Sequence, residues 1–293
     1  MKEKYFYIEP ETARGLLAEV KGRKAEKRGF DSHVYLVGNY AVLTTGRIKL
    51  RNVTTRDDNL IFFDELIQTL WDLRAQGVAV VPILGYCYDP DSKDGTGFIF
   101  QPRAKGEELY DDAVMKEYYV WAQKNPEDVY LFSSDIDPKR YLLSRTDVIS
   151  KVPQEHYDKF VRDILLLNQK DILVDFNGKS NFFYDNEAGF QFIDLDSHTD
   201  YKYGLNDSKN DDNEWALLGC FSPCHLEVGT DAFGGHALDE KQIAKLSAEE
   251  LRQLELANKI IFEKCKAAVL NNGISKERLK NALEELKIFG CSL

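Results

Sequence analysis

No stretch of the chain approaches the ~18 consecutive apolar residues that a membrane-spanning helix needs. The opening MKEKYFYIEPE alternates charges with aromatics and has no apolar core of secretory-leader length. A membrane partner is therefore not expected, and the chain reads as cytosolic. Cysteine is scarce: Cys87, Cys220, Cys224, Cys265 and Cys291 make five in 293 residues. An odd, dispersed set in a chain of this length argues against a disulfide framework and for buried or free thiols. Cys220, Cys224 and His225 (CFSPCH) resemble part of a metal site, but no second ligand pair follows at a familiar spacing. Positive charge is also in deficit, with 38 Lys and Arg against 49 Asp and Glu and a net charge of −11. That sign argues against a nucleic-acid partner, because duplex binding draws on cations that displace counterions from the phosphates. No repeat recurs at a fixed period.

With 43% hydrophobic and 30% charged residues, the chain has the composition of a globular protein with a sizeable core. HVYLVGNYAVLTT places β-branched and aromatic residues on both sides of Gly38-Asn39 and predicts a hairpin. DDNLIFFDELIQTLWDLRAQG carries Phe63, Leu66, Ile67, Leu70 and Leu73 at helical spacing and stops at Gly77. VAVVPILGYCY and FIFQPR read as two further strands around the polar loop DPDSKDGTG, so the first half runs β, β, α, β, β. Farther on, HYDKFVRDILLLNQ predicts a helix with Tyr157, Val161, Ile164 and Leu165 on one face. Short apolar runs at 172–174 and 190–193 each end at an aspartate. Ser247 and Glu250 form a capping box ahead of LRQLELANKIIFEKCKAAVL, and Gly273 separates that helix from a last one.

The chemistry concentrates in ILVDFNGKSNFFYDNEAGFQFIDLDS, residues 172–197. Asp175 follows one apolar run, Asn181 stands six positions later, and Asp194 closes the second run. Two carboxylates and an amide at neighbouring strand ends suit phosphoryl transfer: one carboxylate orients an acceptor hydroxyl, and an Asn and an Asp hold magnesium on the phosphates.

In this order of residues the sequence resembles the protein-kinase-like superfamily, whose catalytic loop runs Asp, a few residues, Asn, a hairpin, then Asp-Phe-Gly. The resemblance covers roughly residues 20 to 200 and is closest in style to aminoglycoside and choline kinases. RGFDSHVY looks like the end of a glycine-rich loop, which would bring Gly29 and Ser32 near the phosphates. The helix at 57–76 corresponds to the C-helix, with Glu65 as its ion-pairing glutamate. FIFQPRAKGEEL is similar to the hinge of those kinases, so that Gln101 to Ala104, Arg103 among them, would line the adenine and Gly106 would begin the following turn. The resemblance implies an α+β, bilobal kinase-like fold, with a small β-rich lobe over 1–102 and a larger helical lobe over 103–293. It implies ATP and magnesium as cofactors, a nucleotide and a small-molecule hydroxyl acceptor as partners, Asp175 as catalytic base, and Asn181 and Asp194 as metal ligands.

The sequence departs from that pattern at the strand lysine. AVLT puts Thr44 in its place, or Leu43 if the register slips by one. Arg47, Lys49, Lys24 and Arg28 are the cations nearest in sequence. Leu173 replaces the usual His before the catalytic Asp, and Asp-Leu-Asp replaces Asp-Phe-Gly. The alternative to an active phosphotransferase is accordingly a pseudokinase, a nucleotide-binding or regulatory module without turnover.

Overall fold

A computed structural model describes residues 2–28, 32–45, 56–88, 97–105, 107–108, 146–170, 172–174, 182–193, 195–197, 217, 219–221 and 246–288. The expected catalytic residues Asp175, Asn181 and Asp194, together with Gly29, Gly106, Arg47 and Lys49, lie outside the described residues. The described residues through Ala104 form one compact unit and those from Lys105 onward a second. The chain belongs to the α+β class: an antiparallel sheet dominates its first part and helices its last.

In the first unit, six strands form one antiparallel sheet: β1 (Lys2–Tyr5), β2 (Lys27–Arg28), β3 (Ser32–Val37), β4 (Tyr40–Thr45), β5 (Gly85–Tyr88) and β6 (Gly97–Pro102), in the order β1-β5-β6-β4-β3-β2. The expected hairpin is present, with Val37 opposite Tyr40 and Gly38 at φ +55°, where the missing Cβ removes the steric cost of a left-handed turn. Helix α1 (Pro10–Val20) buries Ala13, Leu16 and Val20 against Val37, Val42, Cys87 and Phe100. The sequence reading assigned neither β1 nor α1. A four-residue strand and an 11-residue helix offer few periods to recognise. Proline at the start of α1 is nonetheless a fair helix-start signal, since its missing N–H would have had no partner there.

Helix α2 (Arg56–Ala75) buries Leu66, Ile67, Leu70 and Leu73 and is followed by Gly77 at φ +87°. The expected strand after it is shorter than the pattern suggested: only Gly85–Tyr88 pairs as β5, although the residues from Val80 to Leu84 are all buried. Pro82 has no N–H to give a ladder. The carbonyls that a strand would have satisfied are met by side chains instead: Arg74 donates to Val80 (2.9 Å), Gln101 to Val81 (3.4 Å) and the Trp71 indole to Ile83 (2.9 Å). Burial without a ladder is thereby tolerated.

Gly85 marks the closest approach of β1 to β5. A Cβ built there would stand 2.8 Å from the Lys4 carbonyl oxygen and 3.1 Å from the Tyr5 Cα, both backbone atoms. Gly85→Ala should therefore push β1 off its partner and destabilise the chain by about 1–3 kcal/mol, the usual cost of overpacking. Urea unfolding with limited proteolysis of the N-terminus checks this; an unchanged midpoint would refute the close approach.

In the second unit, β7 (Glu107–Glu108), β9 (Phe182–Asp185) and β10 (Gly189–Phe192) form a three-stranded sheet in the order β10-β9-β7, and β8 (Ile172–Val174) pairs with β11 (Leu195–Ser197). Helix α3 (Gln154–Gln169) buries Tyr157, Phe160, Val161, Ile164 and Leu167. That is the predicted face with Leu167 in place of Leu165, which is partly exposed. Helix α4 (Ala248–Asn271) begins at the predicted capping box: Ser247 N–H donates to the Glu250 carboxylate (2.8 Å) and Glu250 N–H to Ser247 Oγ (3.2 Å). Polar contacts join α4 to α3, Gln154 donating to the Lys264 carbonyl (3.0 Å) and Asn272 to the Asp158 carbonyl (2.9 Å). Helix α5 (Lys276–Ile288) closes the described chain. No helix among the described residues is long and apolar enough to cross a membrane.

Candidate active site

The three residues expected to carry chemistry are attached to strand ends that are described. Val174, the last residue of β8, precedes Asp175; Phe182, the first of β9, follows Asn181; Leu195, the first of β11, follows Asp194. Val174 is the register partner of Leu195, and Phe182 the partner of Phe192. The end of β8 that leads to Asp175 thus lies opposite the start of β11 that emerges from Asp194. The start of β9 that emerges from Asn181 lies opposite the end of β10, two residues before Asp194. Antiparallel pairing therefore brings together strand ends that the sequence separates by up to 21 positions, from Val174 to Leu195.

The β9–β10 hairpin is built to hold that arrangement. The Asp185 carboxylate accepts from the amides of Glu187 and Ala188, both at 2.8 Å, and Gly189 turns the chain at φ +76°. These amides, with help from Lys105 and His156, hold the Asp185 carboxyl below the usual carboxylate range. Phe190 and Phe192 sit on one face of β10 and pack on Phe160 of α3, with centroids 5.0 and 5.7 Å apart. Gln191, between them, points to the other face. Its Nε2 donates to the Lys105 carbonyl (2.9 Å), and its Oε1 accepts from the Lys105 N–H (3.4 Å). Sequence reasoning passed over Gln191; the Phe-Gln-Phe alternation was the available signal, since it turns a lone polar side chain away from the aromatic face.

Gln101 and Arg103, expected to line a hinge, have structural partners. Gln101 is 5% exposed and bonds Val81, as described above. The Arg103 N–H donates to the Asn39 carbonyl (2.8 Å), extending the β4–β6 pairing, so in this arrangement it is not a donor available to an adenine ring. Ser32 opens β3 opposite Thr45 and is described by its backbone alone.

Register settles the alternative left open for the strand lysine. Val42 faces the core that α1 covers. Thr44 shares that face by alternation, and its hydroxyl accepts from the His33 N–H (2.9 Å). Leu43 lies on the opposite face, in a cross-strand row with Ile99, Tyr86 and Lys4. This is the face α2 approaches, because Asp64 accepts from the Tyr86 hydroxyl (3.0 Å) and pairs with Lys4. On the expected kinase-like pattern the lysine's place would therefore fall to Leu43 rather than Thr44, and Ala41 and Leu43 give this face of β4 no cation.

Glu65 is exposed, and among the described residues its carboxylate makes no ion pair. The helix carboxylate that reaches the sheet is Asp64, 23% exposed. Burial, then the neighbouring Asp64 charge, pushes the Tyr86 hydroxyl up, so it stays a proton donor. The cation of this helix-to-sheet contact comes from β1, an element the sequence reading did not assign. In the CFSPCH segment, Cys220 is buried, and burial beside Cys265 pushes its thiol up and keeps it protonated, whereas Cys224 and His225 lie outside the described residues.

By residue type Asp175, Asn181 and Asp194 are hard oxygen donors of the kind magnesium takes, and all three lie outside the described residues. β4 itself, YAVLTT, carries no lysine.

No family model matches the chain, and no curated protein matches it. Among solved structures it is similar to WaaP in complex with acyl carrier protein, with 13% identity, a TM-score of 0.40 and 99% of each chain covered. It is also similar to a Toxoplasma gondii specific rhoptry antigen kinase domain, with 8% identity, a TM-score of 0.35 and coverage of 85% of this chain and 75% of that one. A rhoptry kinase from the same organism shows 10% identity, a TM-score of 0.32 and coverage of 88% and 81%.

Proposed function

We propose that this chain is an ATP- and magnesium-dependent phosphotransferase of the protein-kinase-like kind, acting on a hydroxyl of a small molecule. The observation that carries the reading is the strand register: Val174 faces Leu195 and Phe182 faces Phe192, so the segments bearing Asp175, Asn181 and Asp194 leave neighbouring strand ends. Asp175 orients the acceptor hydroxyl and takes its proton as the oxygen attacks the terminal phosphorus. Asn181 and Asp194 hold the metal, which when bound neutralises charge on the phosphates. A small acceptor is favoured over a protein because no Ala-Pro-Glu activation segment occurs in 194–250. The buried thiols of Cys87, Cys220 and Cys265, none of them in a disulfide, suit a reducing cytosol.

The test is calorimetric. The parent should bind ADP more tightly with magnesium than without it, and Asp194→Ala should remove most of that metal-dependent difference while leaving metal-free binding unchanged. No heat from the parent at millimolar nucleotide, with or without magnesium, would refute the assignment. Leu43 favours a second reading, a pseudokinase that binds nucleotide without turnover, because an apolar side chain at that position cannot neutralise phosphate.

A further inference from the structure

We infer that Gln191 is a positioning residue for the metal ligand Asp194, acting through a two-point clamp on the backbone of Lys105. The inference rests on the proposed phosphotransferase reading and adds to it a residue with no expected role in that chemistry.

Strand β10 leads directly into Asp194 and is an edge strand, paired only with β9 in its sheet. One of its faces is fixed by Phe190 and Phe192 against α3. On the other, the Gln191 amide grips a segment 86 residues away in sequence, donating to the Lys105 carbonyl at 2.9 Å and accepting from its N–H at 3.4 Å. A primary amide presents a donor and an acceptor side by side in one plane, so it pairs with a peptide backbone as a neighbouring strand would. Lys105 comes two residues before β7, which pairs with β9 and not with β10. The clamp therefore joins the first and last strands of the three-stranded sheet without a ladder between them. The Lys105 ammonium also acts on Asp185 at the far end of the same hairpin. With aromatic packing on one face and the clamp on the other, rotation of β10 about its own axis is opposed from both sides. Such rotation would displace a ligand three residues along the chain, and metal coordination tolerates little displacement.

Gln191→Met keeps the length and volume of the side chain and removes both hydrogen bonds. Gln191→Glu keeps the acceptor for the Lys105 N–H but sets a carboxylate oxygen against its carbonyl. Two readouts are needed, amide exchange at Lys105 and calorimetric affinity for ADP with and without magnesium. In Gln191→Met the Lys105 amide should exchange about tenfold faster, and magnesium-dependent ADP affinity should fall about tenfold, the loss expected for roughly one net hydrogen bond. Metal-free ADP affinity should stay at the parent value, and Gln191→Glu should fall between parent and Gln191→Met in exchange. Faster exchange with unchanged magnesium–ADP affinity would overturn the inference and leave the phosphotransferase reading standing. Equal weakening with and without metal would also overturn it, since that is the mark of a general structural role. A parent chain that binds no ADP at all would sink both.

Discussion

Asp175→Asn should lower ATP-dependent phosphotransfer by about 10²–10⁴-fold, the range expected when a general base is lost, with magnesium–nucleotide affinity near that of the parent. Asparagine keeps the size of aspartate and one acceptor oxygen, so the loop bearing it should retain its shape. What it lacks is the negative charge that orients the acceptor hydroxyl and the basicity that takes its proton. Nucleotide affinity should be spared because, on the proposed reading, Asp175 attends the acceptor, whereas Asn181 and Asp194 attend the metal. The measurement is ATP consumption over a panel of small hydroxyl-bearing acceptors, run on parent and variant, with calorimetry for binding. Leu43→Lys belongs in the same experiment. Leu43, not Thr44, lies on the β4 face that α2 approaches, in the row of Tyr86 and Lys4. A rate gained in Leu43→Lys alone would identify a nucleotide-binding module that lacks one charge. Identical background rates in all three proteins would remove the case for an enzyme.

The largest effect on stability should follow from Phe160→Ala, at about 3–5 kcal/mol, the cost of truncating a buried aromatic and leaving a cavity. Phe160 is 2% exposed and touches both Phe190 and Phe192. Little can move in to fill the space. Tyr157, one turn earlier, is tethered by its hydroxyl to the Ile149 carbonyl (2.8 Å), and Phe190 is held edge-on against both Tyr157 and Tyr184. Denaturant unfolding should show the midpoint falling with the slope unchanged. Because the same ring backs β10, Phe160→Ala should also weaken magnesium-dependent ADP binding under conditions where the variant is folded, and Phe160→Leu should do so less. A stability loss below about 1 kcal/mol would mean that this aromatic cluster is not the support of β10.

Regular elements whose side chains repeat along the chain were legible in the sequence. Leu66, Ile67, Leu70 and Leu73 announced α2, Tyr157, Val161 and Ile164 announced α3, and Ser247 with Glu250 marked the start of α4. Gly38-Asn39 marked the hairpin for a local reason as well: a two-residue turn between these strands needs φ above zero, and glycine adopts it without strain. The grouping of Asp175, Asn181 and Asp194 is an expectation from the order of residue types; what the structure adds is the register of the flanking strands, β8 with β11 and β9 with β10.

Tertiary structure decided what depends on partners distant in sequence. Which of Leu43 and Thr44 faces α2 turns on a one-residue register, and the alternating chemistry of YAVLTT suits either face until α1 covers Val42. Asp64 and Glu65 are adjacent carboxylates of equal standing in sequence. Only the docking of β1, which brings Lys4 within reach across 60 residues, makes Asp64 the one that meets the sheet. Val78 to Leu84 reads as strand because it is apolar, yet Pro82 and three side chains acting on its carbonyls keep most of it out of the ladder. Gln191 grips Lys105 across 86 residues through side-chain-to-backbone bonds, which leave no period in a sequence. Helical and strand periodicity arises from the chain's own geometry and is written locally; the choice of face, the ion-pair partner and the clamp arise when separate segments compete for the same buried polar groups, and only the folded chain resolves that competition.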